Sequence, residues 1–447
     1  MHSSPINPGS NRSLKAPNRT LESVKYWAGQ KLLHSPFHPY YLKLTGKEPK
    51  PQTYDAWLAA EPAPRLGGVI PAGYRVVLPA GARMARGAEF WFAQAIAATS
   101  ADLIYADEDV AVEGRRRDPV FKPAWSPELF EHCDYIGGAY VARTGVEPGP
   151  QTSAIHIPRV LFHRAASALY RPRQVSIRNA STMVSVIVCS RSAELAGDCL
   201  AAIRATTDYQ PFEIVLIDHR ADLGSVAGRF GAKRVFYDET FNFARMCNIG
   251  VRASEGGLLL FLNDDAVPLD RQWMRRMAGQ AERDDVGAVG ALLTYPDSRI
   301  QHAGVYIGTP NGAGHPGRLT DGSAIWPWLA HTREQLAVTG ACLMMRRRVF
   351  EQAGGFDEFF PVNYNDVDLC LRCGQAGYKV ILEAAARLEH RESTSRKTGI
   401  RYGERRRFLD RWANVIDRGD PYLNPNLTNN EQLLPDPESF ARVGQWR

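Results

Sequence analysis

Between residues 183 and 265 short apolar runs alternate with stretches of helical period, and this alternation restricts the fold more than any other feature of the chain. Residues 184–189 read as a strand, 194–206 as a helix, 213–218 as a strand, 241–253 as a helix and 258–262 as a strand. Strands that alternate with helices of ten or more residues argue for a mainly parallel sheet with helices on both faces. A membrane span would need about 20 consecutive apolar residues, and no run here approaches that length. In open parallel sheets ligands sit at the carboxyl ends of the strands. The polar residues at those ends are therefore the ones to weigh.

Asn263-Asp264-Asp265 directly follows the strand at 258–262. Carboxylates in such a loop are placed to share a divalent cation with a diphosphate, because Mg²⁺ and Mn²⁺ take oxygen ligands and leave positions for phosphate. The plainer reading is a surface turn, for which Asn and Asp are common residues. Asp218 ends the strand at 213–218, where a carboxylate can accept from a base N–H or a ribose hydroxyl, or else cap the following segment. Ser190 is a similar candidate after the first strand. Asn365-Asp366-Val367-Asp368 reads as a helix start beyond the turn Gly354-Gly355-Phe356-Asp357. Carboxylates in a first turn are favoured by the helix dipole, and either one can also act as a general base on an acceptor hydroxyl. Spacing alone does not choose between Asp366 and Asp368. His390 follows a strand expected over 379–382, and its neutral imidazole can complete a metal site with Asp265. Cys370-x-x-Cys373 lies inside the expected helix without a second ligand pair, and reads as core packing.

The seven scattered cysteines fit a reducing compartment. The first thirty residues lack the apolar block of a secretory signal, so a cytoplasmic location is expected. Residues 1–50 carry eight Lys/Arg against Glu22 and Glu48, which equals the net charge of +6 for the whole chain. A basic, partly disordered leading segment can bind an anionic surface, such as the cytoplasmic face of the inner membrane, or nucleic acid, and its plainer reading is a solvated tail. The helical period over 21–33 fits an interfacial helix or a short helix packed on the next domain. The near-neutral remainder gives no reason to expect a nucleic-acid partner.

Taken in order, these residues resemble the family-2 glycosyltransferases of bacterial surface-polysaccharide synthesis. The strings that carry the resemblance are VSVIV (184–188), FEIVLID (212–218), FNFARMCNIG (241–250), LLLFLNDDAVP (258–268), IQHAGV (300–305), VTGACLMMRRRVFEQAGGFDE (338–358), YNDVDLCLR (364–372) and the His390 segment. The resemblance implies an α/β, GT-A-type, Rossmann-like catalytic domain over 181–400, followed by a C-terminal helix and tail over 401–447. It implies inverting, metal-dependent transfer from a nucleoside-diphosphate sugar to a glycan or lipid-linked saccharide acceptor. By position, Asp366 falls on the catalytic base, and Asp265 and His390 on the Mg²⁺ or Mn²⁺ site. Ser190, Asp218, Asn242, Asn248, Asp264, Gly340 and Ala341 fall on the donor nucleotide and sugar. Asn263 opens the triplet where the family has an acid, and Cys189-Ser190-Arg191-Ser192 and His219-Arg220-Ala221-Asp222 depart from its nucleotide motifs. Those departures leave a catalytically inactive, sugar- or nucleotide-binding scaffold as the alternative. A nucleotidyltransferase would need a Gly-rich, Lys-containing phosphate loop near the first strand, and none is there.

Residues 51–180 resemble the far half of a first glycosyltransferase domain, through SADLIYADEDV (100–110) and DPVFKPAWSPELF (118–130). The stretch 76–82 can be laid on 260–266, but Pro79-Ala80-Gly81 then replaces the polar triplet. A degenerate partial copy of the fold is expected, without catalysis despite Asp107, Glu108 and Asp109. Its expected elements are strands over 74–78 and 102–105, a helix over 88–99, a linker over 145–149, and a basic, Pro-broken stretch from there to 180.

Overall fold

The computed structural model describes residues 53–166, 172–320, 327–391 and 399–439. Contacts divide the chain at Pro51, and everything described belongs to the second unit, residues 52–447. The basic segment 1–50 and the helix expected over 21–33 lie outside the described residues.

Two sheets organise the described chain. The smaller consists of β1 (Tyr74–Val77), β2 (Arg83–Met84), β3 (Leu103–Val112), β4 (Arg115–Val120), β5 (Tyr140–Arg143) and β6 (Ala154–Arg164), in the order β1-β5-β3-β6-β2 with β4 on β3. The larger begins with β7 (Val184–Ser190), β8 (Phe212–His219), β9 (Lys233–Tyr237) and β10 (Leu258–Asn263), all mutually parallel. It continues through β11 (Ala266–Pro268), β12 (Val286–Thr294), β13 (Ile300–His302), β16 (Arg333–Gln335), β17 (Cys342–Arg346) and β18 (Lys379–His390). The short strands β14 (Tyr306–Ile307) and β15 (Ala313–Gly314) pair only with each other. The spine order is β11-β18-β12-β17-β10-β7-β8-β9, with β17 antiparallel to both neighbours and β12 parallel to β18.

The larger sheet is buried on both faces, so its parallel strands read as continuous apolar runs. Residues alternate between the two sides. Ile187, Leu259 and Phe261 pack on the side of the helix Phe243–Ala253, while Val186, Val188, Leu258 and Leu260 pack on the side of the helices Ala193–Thr206 and Trp273–Ala281.

The smaller sheet repeats the order and strand directions of one half of the larger. β1, β5, β3, β6 and β2 correspond in sequence to β10, β17, β12, β18 and β11, and every pairing direction agrees. The helix Ala88–Thr99 also lies between β2 and β3 as the helix Trp273–Ala281 lies between β11 and β12. The tail packs against the smaller sheet. Asn424 donates to Asp107 at 2.9 Å, Asn426 donates to the carbonyl of Pro158 at 2.9 Å, and Leu427 joins the core around Trp57 and Phe121.

Three strands depart from the sequence expectation. β3 runs to Val112, through the acidic triplet expected in a loop, because each acid is buried against a partner. Asp107 meets His156 at 2.8 Å, Glu108 meets Lys122 at 3.1 Å, and Asp109 meets Arg116 at 2.6 Å. β6 runs through the stretch expected to be Pro-broken, and tolerates Pro158 where its register with β3 shifts. β18 continues past Leu382 to His390 through a bulge opposite Ala291 and Leu292. Among the described residues, the expected helices and the other expected strands fall within a few residues of expectation.

Candidate active site

The registers bring the sequence candidates together at one end of the larger sheet. Ser190 pairs with Asp218 across β7 and β8, and Asn263 pairs with Cys189 across β10 and β7. On the other flank of β10, Asn263 N–H donates to the carbonyl of Ala341 at 3.0 Å, which places the Thr339–Ala341 loop beside the acidic triplet. β11 pairs with β18 so that Ala266 faces His390. Asp265 and His390, far apart in sequence, therefore meet.

His390 Nε2 lies 3.1 Å from Asp265 Oδ1 and 3.3 Å from the Asn263 side-chain amide nitrogen. Both His390 and Asp265 are nearly buried, and His390 Nδ1 has no hydrogen-bond partner among the described residues. Ligand atoms on adjacent positions of an octahedral cation with bonds of about 2.0–2.1 Å lie about 3 Å apart, which is the spacing of this pair. Among the described residues no three His, Cys, Asp or Glu side chains converge as a complete metal cage. Two protein ligands with the remaining positions left to phosphate oxygens and water suit Mg²⁺ or Mn²⁺. Asp264 accepts from the Ser190 hydroxyl at 2.6 Å. Burial pushes the Asp264 carboxyl up, the Ser190 bond lowers it, and the adjacent Asp265 raises it again, leaving it above its ordinary value. Such a carboxyl gains from a nearby cation.

Asp218 is fully buried and already engaged. It accepts from the N–H of Ala221 at 2.9 Å, the N–H of Leu223 at 2.8 Å and Arg234 Nε at 2.7 Å. Asn242 caps its helix by accepting from Arg245 N–H at 3.0 Å and donates to the carbonyl of Glu358 at 2.8 Å. Asn248 accepts from Phe356 N–H at 3.1 Å and donates to the carbonyl of Phe356 at 3.0 Å. Both asparagines thus fasten the turn 354–358 to the helix Phe243–Ala253, with their amides engaged inside the protein.

The two aspartates left open by spacing occupy different environments. Asp368 is fully buried, and it accepts from Arg372 at 2.9 Å, Arg411 at 2.7 Å and the Trp412 indole at 3.0 Å. Asp366 is only half-buried. Its Oδ2 accepts from Gly340 N–H at 2.7 Å and its Oδ1 from Val367 N–H at 2.8 Å. A Cβ on Gly340 would lie 3.4 Å from the Asp366 Cβ, an ordinary contact distance. Cys370 and Cys373 are buried in the core.

Two residues escape sequence reasoning. Arg234, on the edge strand β9, reaches Asp218 only through the β8–β9 register, and the sequence around it carries no motif. His302, inside the IQHAGV string, is fully buried, and its Nε2 accepts from Gly304 N–H at 3.3 Å and Thr339 N–H at 3.4 Å. Burial, then His315 and Arg333, push its pKa well down. The neutral ring therefore acts as an acceptor that anchors the start of the loop bearing Gly340.

Residues 181–414, just over half of the chain, match the family described as glycosyltransferase like family 2. The chain is 33% identical over 405 residues to the O-antigen biosynthesis protein RfbC of Myxococcus xanthus, covering 73% of this chain and 31% of that one. It is 30% identical over 126 residues to the N-acetylglucosaminyl-diphospho-decaprenol L-rhamnosyltransferase of Mycobacterium tuberculosis, covering 24% of this chain and 38% of that one. The chain therefore spans well under half the length of either relative. Among solved structures it is similar to GalNAc-T7 with UDP, GalNAc and Mn²⁺, at 14% identity and a TM-score of 0.43, over 53% of this chain and 50% of that one. No helix among the described residues is long and apolar enough to cross a membrane. With the matched span covering just over half of its length, the chain belongs to glycosyltransferase family 2.

Proposed function

We propose that the chain transfers a sugar from a nucleoside-diphosphate donor to a glycan or lipid-linked saccharide acceptor, in bacterial surface-polysaccharide synthesis, with inversion at the anomeric carbon. The observation that carries this reading is the half-buried Asp366 carboxylate, oriented by Gly340 N–H beside the strand end that bears Asp264 and Asp265. In a single displacement the acceptor oxygen forms its bond to the anomeric carbon as the carbon–oxygen bond to the diphosphate breaks. The acceptor proton passes to Asp366, a general-base step of the kind worth about 10²–10⁴ in rate. Asp265 and His390 would hold Mg²⁺ or Mn²⁺, which when bound neutralises charge on the departing diphosphate. Ser190 orients Asp264 toward the same end, and Asp218 with Arg234 shapes the wall on the nucleotide side. Gly340 and Ala341 provide backbone that the donor sugar can approach closely.

The names of the relatives point to O-antigen synthesis and to rhamnosyl transfer onto a lipid-linked diphosphate sugar, so a hexose or deoxyhexose donor and a lipid-linked acceptor are the first to try. We place the protein in the cytoplasm, with residues 1–50 reaching the inner-membrane surface. Residues 51–180 are read as a degenerate partial copy of the fold with a packing or acceptor-positioning role. Its repeated strand order supports that reading, as do its three acids, each engaged by a buried partner.

Asp366→Asn in the full chain tests the assignment. Transfer should fall at least about 100-fold while nucleotide affinity stays unchanged; near-normal turnover sinks it. One observation favours a second reading, a nucleotide-binding scaffold without catalysis: Asp218 is already saturated by internal donors. Nucleotide binding with no transfer to any lipid-linked or glycan acceptor would select it.

A further inference from the structure

On its edge away from β12, β18 pairs with β16 over Val380–Leu382 and with β11 over Leu388–His390, and the Arg387 carbonyl accepts from Leu269 N–H at 3.0 Å, which leaves residues 383–386 outside both ladders. On its other edge the register jumps from Ala291↔Glu383 to Leu292↔Arg387. The chain bulges through Ala384, Ala385 and Ala386, and these small side chains leave space. A cavity of about 220 Å³ opens there. Its walls are the bulge, the helix Trp273–Ala281 and the segment 172–178 that leads from the smaller sheet to the larger.

The charges of this cavity do not balance. Arg173, Arg178, Arg276 and Arg387 line it with one carboxylate, Glu383. Glu383 is buried and satisfied by neutral donors: Thr332 Oγ1 at 2.9 Å, Gln280 Nε2 at 3.1 Å and Ala385 N–H at 3.1 Å. Arg178 reaches Glu131 at 3.3 Å outside the cavity. Among the described residues Arg173, Arg276 and Arg387 form no ion pair: Arg173 stacks on Phe130 at 4.3 Å, and Arg276 donates to the Gln272 amide oxygen at 3.1 Å. By contrast Arg283, on the loop that follows the helix, meets Glu128 at 2.5 Å and Asp285 at 3.0 Å. Guanidinium groups gathered around one space repel one another, and an anion between them reverses that sign. Their planar forks match phosphate oxygens two at a time, and the space admits a phosphate or diphosphate.

We propose that this cavity is a binding site for a phosphate-class anion, a diphosphate in the first instance, separate from the donor site. Arg387 and Arg276 grip it from the sheet side and Arg173 from the inter-sheet segment. The occupant braces the bulge of β18 three residues before His390 and ties the segment 172–178 to the larger sheet. Two sources offer this chemistry: a free diphosphate, or the headgroup of a prenyl-linked saccharide.

Titration calorimetry on the full chain, in excess chelator, tests the site with inorganic diphosphate and with farnesyl diphosphate as probes. One-site binding is expected, weakened at least tenfold in Arg387→Ala and in Arg173→Ala, and unchanged in Asp265→Asn. Arg387 is exposed, so its loss does not endanger the fold, and the melting temperature of each variant checks this. Tighter binding of farnesyl diphosphate by tenfold or more assigns the prenyl-linked source, and equal binding of the two probes assigns the free anion. Absence of binding by both probes overturns the proposal. So does binding that survives the Arg276→Ala, Arg387→Ala double variant, or that disappears in Asp265→Asn.

Discussion

Asp218→Ala should lower the stability of the fold by several kcal/mol, and the size follows from the groups it leaves behind. After Asp218 the chain turns sharply through Arg220 and Asp222, both at positive φ (59° and 49°). The carboxylate holds that turn by accepting from Ala221 N–H, Leu223 N–H and Arg234. Alanine strands two N–H groups, of which that of Leu223 is buried, at about 1–3 kcal/mol each. Arg234 is one-third exposed (33%) and can turn to water, so its loss adds only about 0–1 kcal/mol. The total is about 2–7 kcal/mol. Asp218→Asn should fall between, since it keeps one acceptor oxygen but sets an NH₂ against an N–H or a guanidinium. The pH dependence has a definite sign. Burial pushes the Asp218 carboxyl up, but the N–H groups of Leu223 and Ala221 and the Arg234 guanidinium outweigh it and hold it below the ordinary carboxylate value. A depressed folded-state pKa gives stability that is present above the unfolded value of about 3.9 and is lost as pH falls through the folded one. Urea denaturation of parent and variant at pH 7 and pH 3 measures both effects. A gap at pH 7 within about 0.5 kcal/mol, the scatter of surface substitutions, would refute the reasoning, as would a gap that widens in acid.

Asp368→Asn should cost about 3–5 kcal/mol, because it uncovers two guanidiniums around a buried position, whereas Asp366→Asn should cost under about 1 kcal/mol; denaturation curves of the two separate the structural aspartate from the proposed base. Lys122→Met should also cost about 3–5 kcal/mol, because it removes the buried ammonium that pairs with the buried Glu108 carboxylate, again read by denaturation. Burial pushes the Asp420 carboxyl up to about 7, against hydrogen bonds from Ile307 and Tyr422 N–H. The native state therefore binds the extra proton between about pH 4 and 7, and stability should fall as pH rises through that window, by up to about 4 kcal/mol. The fall should shrink in Asp420→Asn, and an unchanged profile would contradict it.

The parallel strands β7, β8 and β10 were legible in the sequence because burial on both faces leaves only apolar residues, and such runs announce themselves. β3 and β6 were not. Their charges look like loop residues until partners as distant as Asn424 and Lys122 are folded against Asp107 and Glu108. β18 was cut short for a related reason, since a bulge with Glu383 and Arg387 breaks its apolar alternation. At the site, strand-end position marked Ser190, Asp218 and the acidic triplet. The meeting of Asp265 with His390 rests on the β11–β18 register, which no local pattern encodes and the family resemblance supplied. Asn242 and Asn248 stand in the expected string, but their amides fasten a turn, which only the three-dimensional contacts show.

The central claim is that the ends of β7, β8 and β10 form a metal-dependent donor site. Calorimetric titration of the full chain with UDP, dTDP and GDP, each with Mn²⁺ and with chelator, tests it most directly. We predict that one nucleotide binds at least tenfold tighter with Mn²⁺ than with chelator, and that Asp265→Asn removes the difference. Equal affinity with metal and with chelator, or no binding of any of the three by the folded protein, would contradict it.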